Sequence, residues 1–537
     1  MPFLAVQPLK SQSWPTGLLP SLRLLWQRTL FPGRQPIDSR VRLTSLALLI
    51  VVPGLLLYPC LQFHLLDPDE GRYAEIPREM LTRGEWLVPY LQSEPYLDKP
   101  PLLYWLVMLS YAAFGVHEWS ARLIPALAVH GTILTTYLIG RNRVGERAAF
   151  LGAGLLGLTP ALMGMGRLLI LDGLLTFWVT LGLLAGWRSL ATPRCRWWYV
   201  CAIACGFGML TKGPIALVLV LPPLVIDHWL SGGNGRLNQG RRSWLLFVTI
   251  VLAINLPWYA AIAVARPEFG PYFFVQHNLQ RFLAPFDHLE PIWYYGPVLL
   301  GGLMPGTLLL PRLVRRLAAG DSSIAARRSP ELGFLLLAGG WCVLFFSLSG
   351  SKLPTYILPA FPMLCLALAT APLGPIGWPF KSAVALWTAG LAAVNFVGLP
   401  WYADQRSPMG APAAEVRTAC GDRATVVCCY PRPCDSAGFY LQRDDLRSTR
   451  SKFVHLLIAD LLTRERTVVL FTHRHSYELL KESLPPDLTV ERAASFRRQL
   501  PGPAWLTKLI GDSPWGLCDL AVIRCSRPRP ADAVGKP

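Results

Sequence analysis

Long apolar blocks separated by short polar stretches run through the first three quarters of this chain. A helix needs ~20 mostly apolar residues to cross a bilayer, fewer where it ends in a protein-lined cavity. Spans are predicted at 43–63, 120–140, 147–166, 169–187, 197–211, 214–230, 244–264, 293–313, 331–349, 354–372 and 379–400. The expected fold class is a polytopic α-helical membrane protein of about 11–13 transmembrane helices. One further apolar run, 102–116, is expected not to cross. If it did, every later basic cluster would change sides, so it should lie along the membrane or dip and return on the outer face.

Beyond Trp401 the pattern changes. Residues 403–537 are more polar, and short apolar runs at 424–428, 467–471 and 520–523 alternate with helix-like stretches such as 453–462. This alternation predicts a small α/β domain. Three regions are expected: a basic tail at 1–42, a membrane domain at 43–402 with a large first external loop at 64–119, and the α/β domain at 403–537.

Composition agrees with the membrane reading. Of 537 residues 52% are hydrophobic and 16% charged, and the mean hydropathy is +0.36, too apolar for a soluble globular chain. The net charge of +18 does not signal nucleic acid, because no long basic run with interleaved aromatics is present. The basic residues instead mark the inner side. Arg141/Arg143/Arg147, Arg188/Arg194/Arg196, Arg236/Arg241/Arg242, Arg312/Arg315/Arg316 with Arg327/Arg328, and Lys381 all fall inside if the N-terminus is cytoplasmic. The C-terminal domain is then extracytoplasmic. It holds six of the twelve cysteines, and in an oxidising compartment the candidate disulfides are Cys518–Cys525 and a pair among Cys420, Cys428, Cys429 and Cys434.

This ordering gathers the unusual polar residues on the outer face, in 67–99, 167–172, 211–213, 267–291 and 351–356. The densest group begins Asp67-Pro68-Asp69-Glu70-Gly71-Arg72-Tyr73-Ala74-Glu75 and closes with Tyr96-Leu97-Asp98-Lys99-Pro100-Pro101. Charges beside lipid are unfavourable unless they pair, face water or do chemistry. Surface ion pairs in a solvated loop are the plainer account of one such loop, but not of five that share a face.

These residues carry a resemblance. The island, with Gly84-Glu85-Trp86-Leu87-Val88-Pro89, Tyr272-Phe273-Phe274-Val275-Gln276-His277-Asn278 and Ser351-Lys352-Leu353-Pro354-Thr355-Tyr356, resembles the membrane glycosyltransferases of the GT-C type. Within that group it is similar to the aminoarabinose lipid A transferases and the protein mannosyltransferases. The resemblance runs from about Leu61 to Pro362. It implies an outward-facing active-site cavity in a bacterial-type inner membrane. The donor implied is a polyprenyl-phosphate-linked sugar and the acceptor lipid A or a related glycolipid, with membrane lipids around both.

Residue by residue, the resemblance makes Asp69 and Asp172 catalytic. It places Arg72, Tyr73, Tyr96, Lys99, Lys212 and Tyr356 on the donor phosphate, and Asp98 and His277 on a divalent metal, zinc or magnesium/manganese. Asp98 stands where the family pattern has glutamate.

The chemistry suits these residue types. A sugar on a polyprenyl phosphate already has a good leaving group, so the protein must mainly stabilise phosphate charge as the glycosidic bond breaks. Arginine offers a two-pronged fit to phosphate and lysine a point charge. Asp69 would act as general base toward a hydroxyl acceptor, or orient a phosphate acceptor that needs none. Protein O-mannosyl transfer is the alternative within the class. A lipid-carrier flippase is the alternative outside it, but a transporter would place charges at mid-bilayer and show internal repeats.

Overall fold

A computed structural model describes residues 39–191, 196–230, 241–283, 288–319, 329–371, 377–406, 409–410, 412–421, 425–473, 475–496 and 519–528. The basic tail 1–38 and Cys518 lie outside the described residues. The membrane region contains α1 (Ser39–Leu57), α2 (Asp69–Arg83), α3 (Leu102–Phe114), α4 (Glu118–Val144), α5 (Leu171–Ala191), α6 (Arg196–Lys212), α7 (Arg241–Ala265) and α8 (Pro330–Leu348).

Among the described residues six helices are long and apolar enough to cross a membrane, or seven if the pair Ile292–Gly302 and Gly306–Ala318, bent by 96°, forms one span. Predicted spans 197–211 and 214–230 are met by helices shorter than those six, Arg196–Lys212 and Ile215–Leu230, and 147–166 and 354–372 are broken. Apolar content alone does not set helix length. The 147–166 block is broken into Glu146–Leu156 and Pro160–Met165, with Pro160 at the start of the second piece. The 354–372 block begins as a proline-rich 3₁₀ turn, Pro354–Ala360, before Phe361–Thr370. The α3 helix has 13 residues. At 1.5 Å per residue it spans ~20 Å, short of the ~30 Å hydrocarbon core, as its reading as a non-crossing segment requires.

The C-terminal domain contains β3 (Val426–Tyr430), β4 (Arg447–Ser448), β5 (Arg466–Phe471), β6 (Leu488–Ser495) and β7 (Asp519–Cys525), and helix α9 (Ser436–Leu441) follows β3. The small hairpin β1 (Tyr90–Leu91) and β2 (Glu94–Pro95) belongs to the first loop. The larger sheet runs β4-β3-β5-β7-β6, with β4, β3 and β5 parallel and β7 antiparallel to both of its neighbours.

Side chains alternate across a strand, and here both faces are buried. Val427, Cys429, Val468, Leu470, Leu520 and Val522 face one core, while Cys428, Tyr430, Val469, Phe471, Ala521 and Ile523 face another. The first of these cores is shared with the membrane region. It includes Tyr73, Ile76 and Met80 of α2, Tyr104 and Tyr111 of α3, and Phe439 and Tyr440 of α9. The domain is therefore packed onto the first external loop through a common apolar core. The expected disulfide among Cys420, Cys428, Cys429 and Cys434 is corrected: all four are free and buried, and Cys428 and Cys429 point to opposite faces. The expected Cys518–Cys525 pair falls outside the described residues through Cys518.

Candidate active site

The five polar loops come together. Leu169 N donates to Glu70, Lys212 Nζ to Asp172, Tyr272 OH to Asp98, and Lys352 Nζ to the Glu290 carbonyl. One end of the helix bundle thus carries every outer segment singled out above.

The charged island divides into two sets. Glu70, Glu75, Arg78 and Glu79 are buried. Glu70 accepts two bonds of 2.8 Å from Arg122 of α4 and one of 3.0 Å from Leu66 N, while Arg78 donates to both oxygens of Glu75 and to the Arg443 carbonyl. This set fixes the loop. The other set is open. Asp69, in the first turn of α2, has a side chain 63% exposed, and its ion contact is Arg72 Nη1 at 3.8 Å. A carboxylate there is favoured by the helix dipole.

Arg72 donates through Nε and Nη2 to a single oxygen of Asp435, at 3.2 and 3.0 Å, and lies 5.8 Å from the centre of the Tyr96 ring. Burial works against its charge, but Asp435, then Tyr96, Tyr73 and Asp69, raise its pKa above the ordinary arginine value. Burial, then Asp98, holds the Tyr96 hydroxyl in its protonated form. Tyr73 is also kept protonated, first by burial, and it feels Tyr96, Asp69, Arg72 and Asp172 together.

The second half is the Asp172–Lys212 pair, at 2.8 Å, with Lys212 Nζ 4.9 Å from the centre of the Tyr356 ring. Asp172 opens α5 and Lys212 closes α6, so two helix ends set this pair. Lys99 Nζ donates to the Asp98 carbonyl at 3.2 Å. Asp98 Oδ1 takes the Tyr272 hydroxyl at 2.6 Å.

The His277 side chain lies outside the described residues. Among the described residues no group of three or more His, Cys, Asp or Glu could hold a metal, and one oxygen of Asp98 is already committed to Tyr272. The expected pairing of Asp98 with His277 on a metal therefore falls outside the described residues, and no step below is routed through a metal.

Four residues were not singled out from the sequence for these roles. Arg122 had a signal, as a charge near the start of an apolar span. Tyr272 lay inside a quoted motif. Tyr104, beside Tyr73, keeps a buried hydroxyl with no hydrogen-bond partner among the described residues. Asp435 had no signal at all.

The seam between α2 and α9 depends on two glycines. A Cβ at Gly71 would stand 1.8 Å from Asp67 Oδ1 and 2.6 Å from the Ser436 backbone N, and one at Gly438 would stand 2.3 Å from Glu75 Oε1. Asp67 accepts from Ser436 N at 3.1 Å and from Ser436 Oγ at 2.8 Å across this seam. Burial and the neighbouring Asp435 push the Asp67 carboxyl up to about 7. Gly71→Ala should loosen the seam by about 1–3 kcal/mol, the usual cost of overpacking. It should read as a lower Tm and faster protease cutting between the two regions. An unchanged melt and digestion pattern would show that α2 and α9 do not touch in solution.

With this geometry, the comparisons with known proteins are decisive for the fold. The dolichyl-phosphate-mannose-protein mannosyltransferase family profile matches residues 41–273. The crystal structure of ArnT from Cupriavidus metallidurans bound to undecaprenyl phosphate superposes with a TM-score of 0.70 at 20% identity, covering 93% of this chain and 100% of that one. The chain shares the fold of ArnT.

The apo form of the same ArnT gives a TM-score of 0.71 at 21% identity, covering 92% and 99% of the two chains. Such coverage cannot be reached by the membrane region alone, so the likeness extends into the C-terminal domain. In sequence, the chain is 35% identical over 344 residues to undecaprenyl phosphate-alpha-4-amino-4-deoxy-L-arabinose arabinosyl transferase 2 of Pseudomonas fluorescens, across 62% of this chain and 57% of that protein. It is 36% identical over 338 residues to the corresponding transferase of Edwardsiella ictaluri, across 60% and 56%. The matched region spans little more than half the length of these curated relatives.

Proposed function

We propose that this protein is an integral-membrane glycosyltransferase that moves a sugar from a polyprenyl phosphate to an extracytoplasmic acceptor, lipid A or a related glycolipid. The observation that carries the reading is the pairing of an exposed carboxylate, Asp69, with held cations on one outer face of an ArnT-like fold. The basic inner loops support an inner-membrane protein with its N-terminus in the cytoplasm and its α/β domain in the periplasm. The curated relatives are named for undecaprenyl-phosphate aminoarabinose transfer, which makes that donor the first to test.

In this reading Arg72, Lys99 and Lys212 receive the negative charge that collects on the carrier phosphate as the glycosidic bond breaks. The acceptor enters from the opposite face of the anomeric carbon. Asp69 removes the proton of an acceptor hydroxyl, or orients a phosphate acceptor. Asp172 holds Lys212, and Tyr356 packs its ring against that ammonium. Removing one preorganised donor of this kind costs ~10²–10³ in rate, so Lys212→Met should lower transfer by that factor.

The test is transfer in proteoliposomes, with a panel of polyprenyl-phosphate sugars and with lipid A or a serine/threonine peptide as acceptor. Sugar-modified lipid A by mass spectrometry, reduced in Lys212→Met, would support the assignment. Transfer to the peptide alone would keep the chemistry and replace the acceptor by a protein hydroxyl. Movement of the carrier lipid across the membrane, with no transfer to either, would overturn the enzyme reading.

A further inference from the structure

We propose that Asp435 of the C-terminal domain is a positioning residue that aims Arg72 at the phosphate of the carrier lipid. The proposal rests on the donor-site reading above. It makes the α/β domain a working part of that site.

The geometry of the pair is directional. Arg72 commits Nε and Nη2 to one oxygen of Asp435, which leaves Nη1 facing Asp69. A guanidinium fixed along one edge by a carboxylate presents its other edge at a set angle, which a flexible side chain on its own would not do. Burial differs across the pair. The Asp435 side chain is 5% exposed and Arg72 27%, so the carboxylate is the sheltered support and the guanidinium the reachable end. A carboxylate this buried is unfavourable unless paired, which sets it apart from an incidental surface contact.

The support is itself held. Asp435 lies in the turn from β3 into α9, at the carboxyl end of the parallel strands β3 and β5. Open α/β sheets form their binding crevices at such ends. Here that end of the sheet meets the first loop. Ser436, next in sequence, bonds to Asp67, and Gln92 Nε2 donates to the Cys434 carbonyl at 3.4 Å. Both flanks of Asp435 are therefore tied to the first loop.

Docking does not depend on Asp435. Leu65 N donates to Tyr440 OH, Arg78 to the Arg443 carbonyl, Ser93 Oγ to the Asp444 carbonyl and Ser448 Oγ to Gln92. The shared apolar core adds to these contacts. A residue redundant for docking but bonded to a donor-site cation points to orientation as its task.

The experiment is a double-mutant cycle on the full chain in nanodiscs. Wild type, Asp435→Asn, Arg72→Ala and the double variant are compared by two readouts: binding of undecaprenyl phosphate, and kcat/KM for transfer. Ser93→Ala, which removes a docking bond to the Asp444 carbonyl and a bond from Arg83, serves as control. Partners that orient a ligand-contacting group typically contribute 10–100-fold, so Asp435→Asn should weaken binding and kcat/KM by about that factor. In the Arg72→Ala background the same change should have no further effect.

Equal losses in both backgrounds, or a loss matched by Ser93→Ala, would overturn the proposal. So would a wild-type value for Asp435→Asn. The cycle is repeated with Asp435→Ser, so that one variant that does not fold leaves the question decided by the other. The binding readout stands apart from catalysis. Coupling in binding without transfer by any variant would reject the proposed reaction and keep the role of Asp435.

Discussion

Asp69→Asn should reduce sugar transfer by ~10²–10⁴-fold, the range lost when a positioned general base is removed, while carrier binding and Tm stay near wild type. The fold does not lean on Asp69. Its carboxylate is largely exposed, and its ion contact with Arg72 is long beside the 3.0 Å contact that Arg72 makes with Asp435. Exposed pairs of this kind contribute little to stability. The effect therefore belongs to the reaction and should appear in kcat more than in KM. A loss below tenfold would show that the acceptor brings its own charge, as a phosphate does, and that Asp69 only orients it.

Arg122→Ala should do the reverse, removing folded protein rather than chemistry. The Arg122 side chain is 0% exposed and Glu70 has two guanidinium contacts with it of 2.8 Å. The same guanidinium donates to the carbonyls of Leu61, Phe63 and His64, gathering the chain just before the island. Removing one partner of a buried ion pair costs about 3–5 kcal/mol, because the other charge stays behind unpaired. The expected result is a collapse in purified yield and a large fall in Tm. Adding Glu70→Gln should recover part of it, since the uncompensated charge is then gone. No recovery in the double variant would place the loss in the three carbonyls instead.

Much of this was legible in the sequence, for physical reasons that differ from residue to residue. The island stood out because seven charged residues from Asp67 to Glu79 adjoin an apolar span, where unpaired charge is unfavourable. The sequence did not show which of them turn inward. Only the placement of Arg122 and the C-terminal domain sorts buried Glu70 and Glu75 from open Asp69.

Lys212 and Asp172 were named separately, and two helix ends bring them into contact. The role of Asp435 was not legible. It lies 363 residues from Arg72, in a turn with no motif to mark it. The pair expected among Cys420, Cys428, Cys429 and Cys434 misled because cysteine number suggests pairing, while these four are free, buried thiols. Prolines also divide two apolar runs that read as continuous.

The seam between α2 and α9 also sets a timetable. During synthesis, Asp67, Arg72 and Arg78 emerge hundreds of residues ahead of Ser436, Asp435 and Arg443, which they bond in the finished protein. Until that late segment has been made and folded, the charged loop waits beside the membrane without its lid of partners. A ribosome that stalls before residue 435 leaves Arg72 without its anchor, so this pairing forms only once that residue has been made.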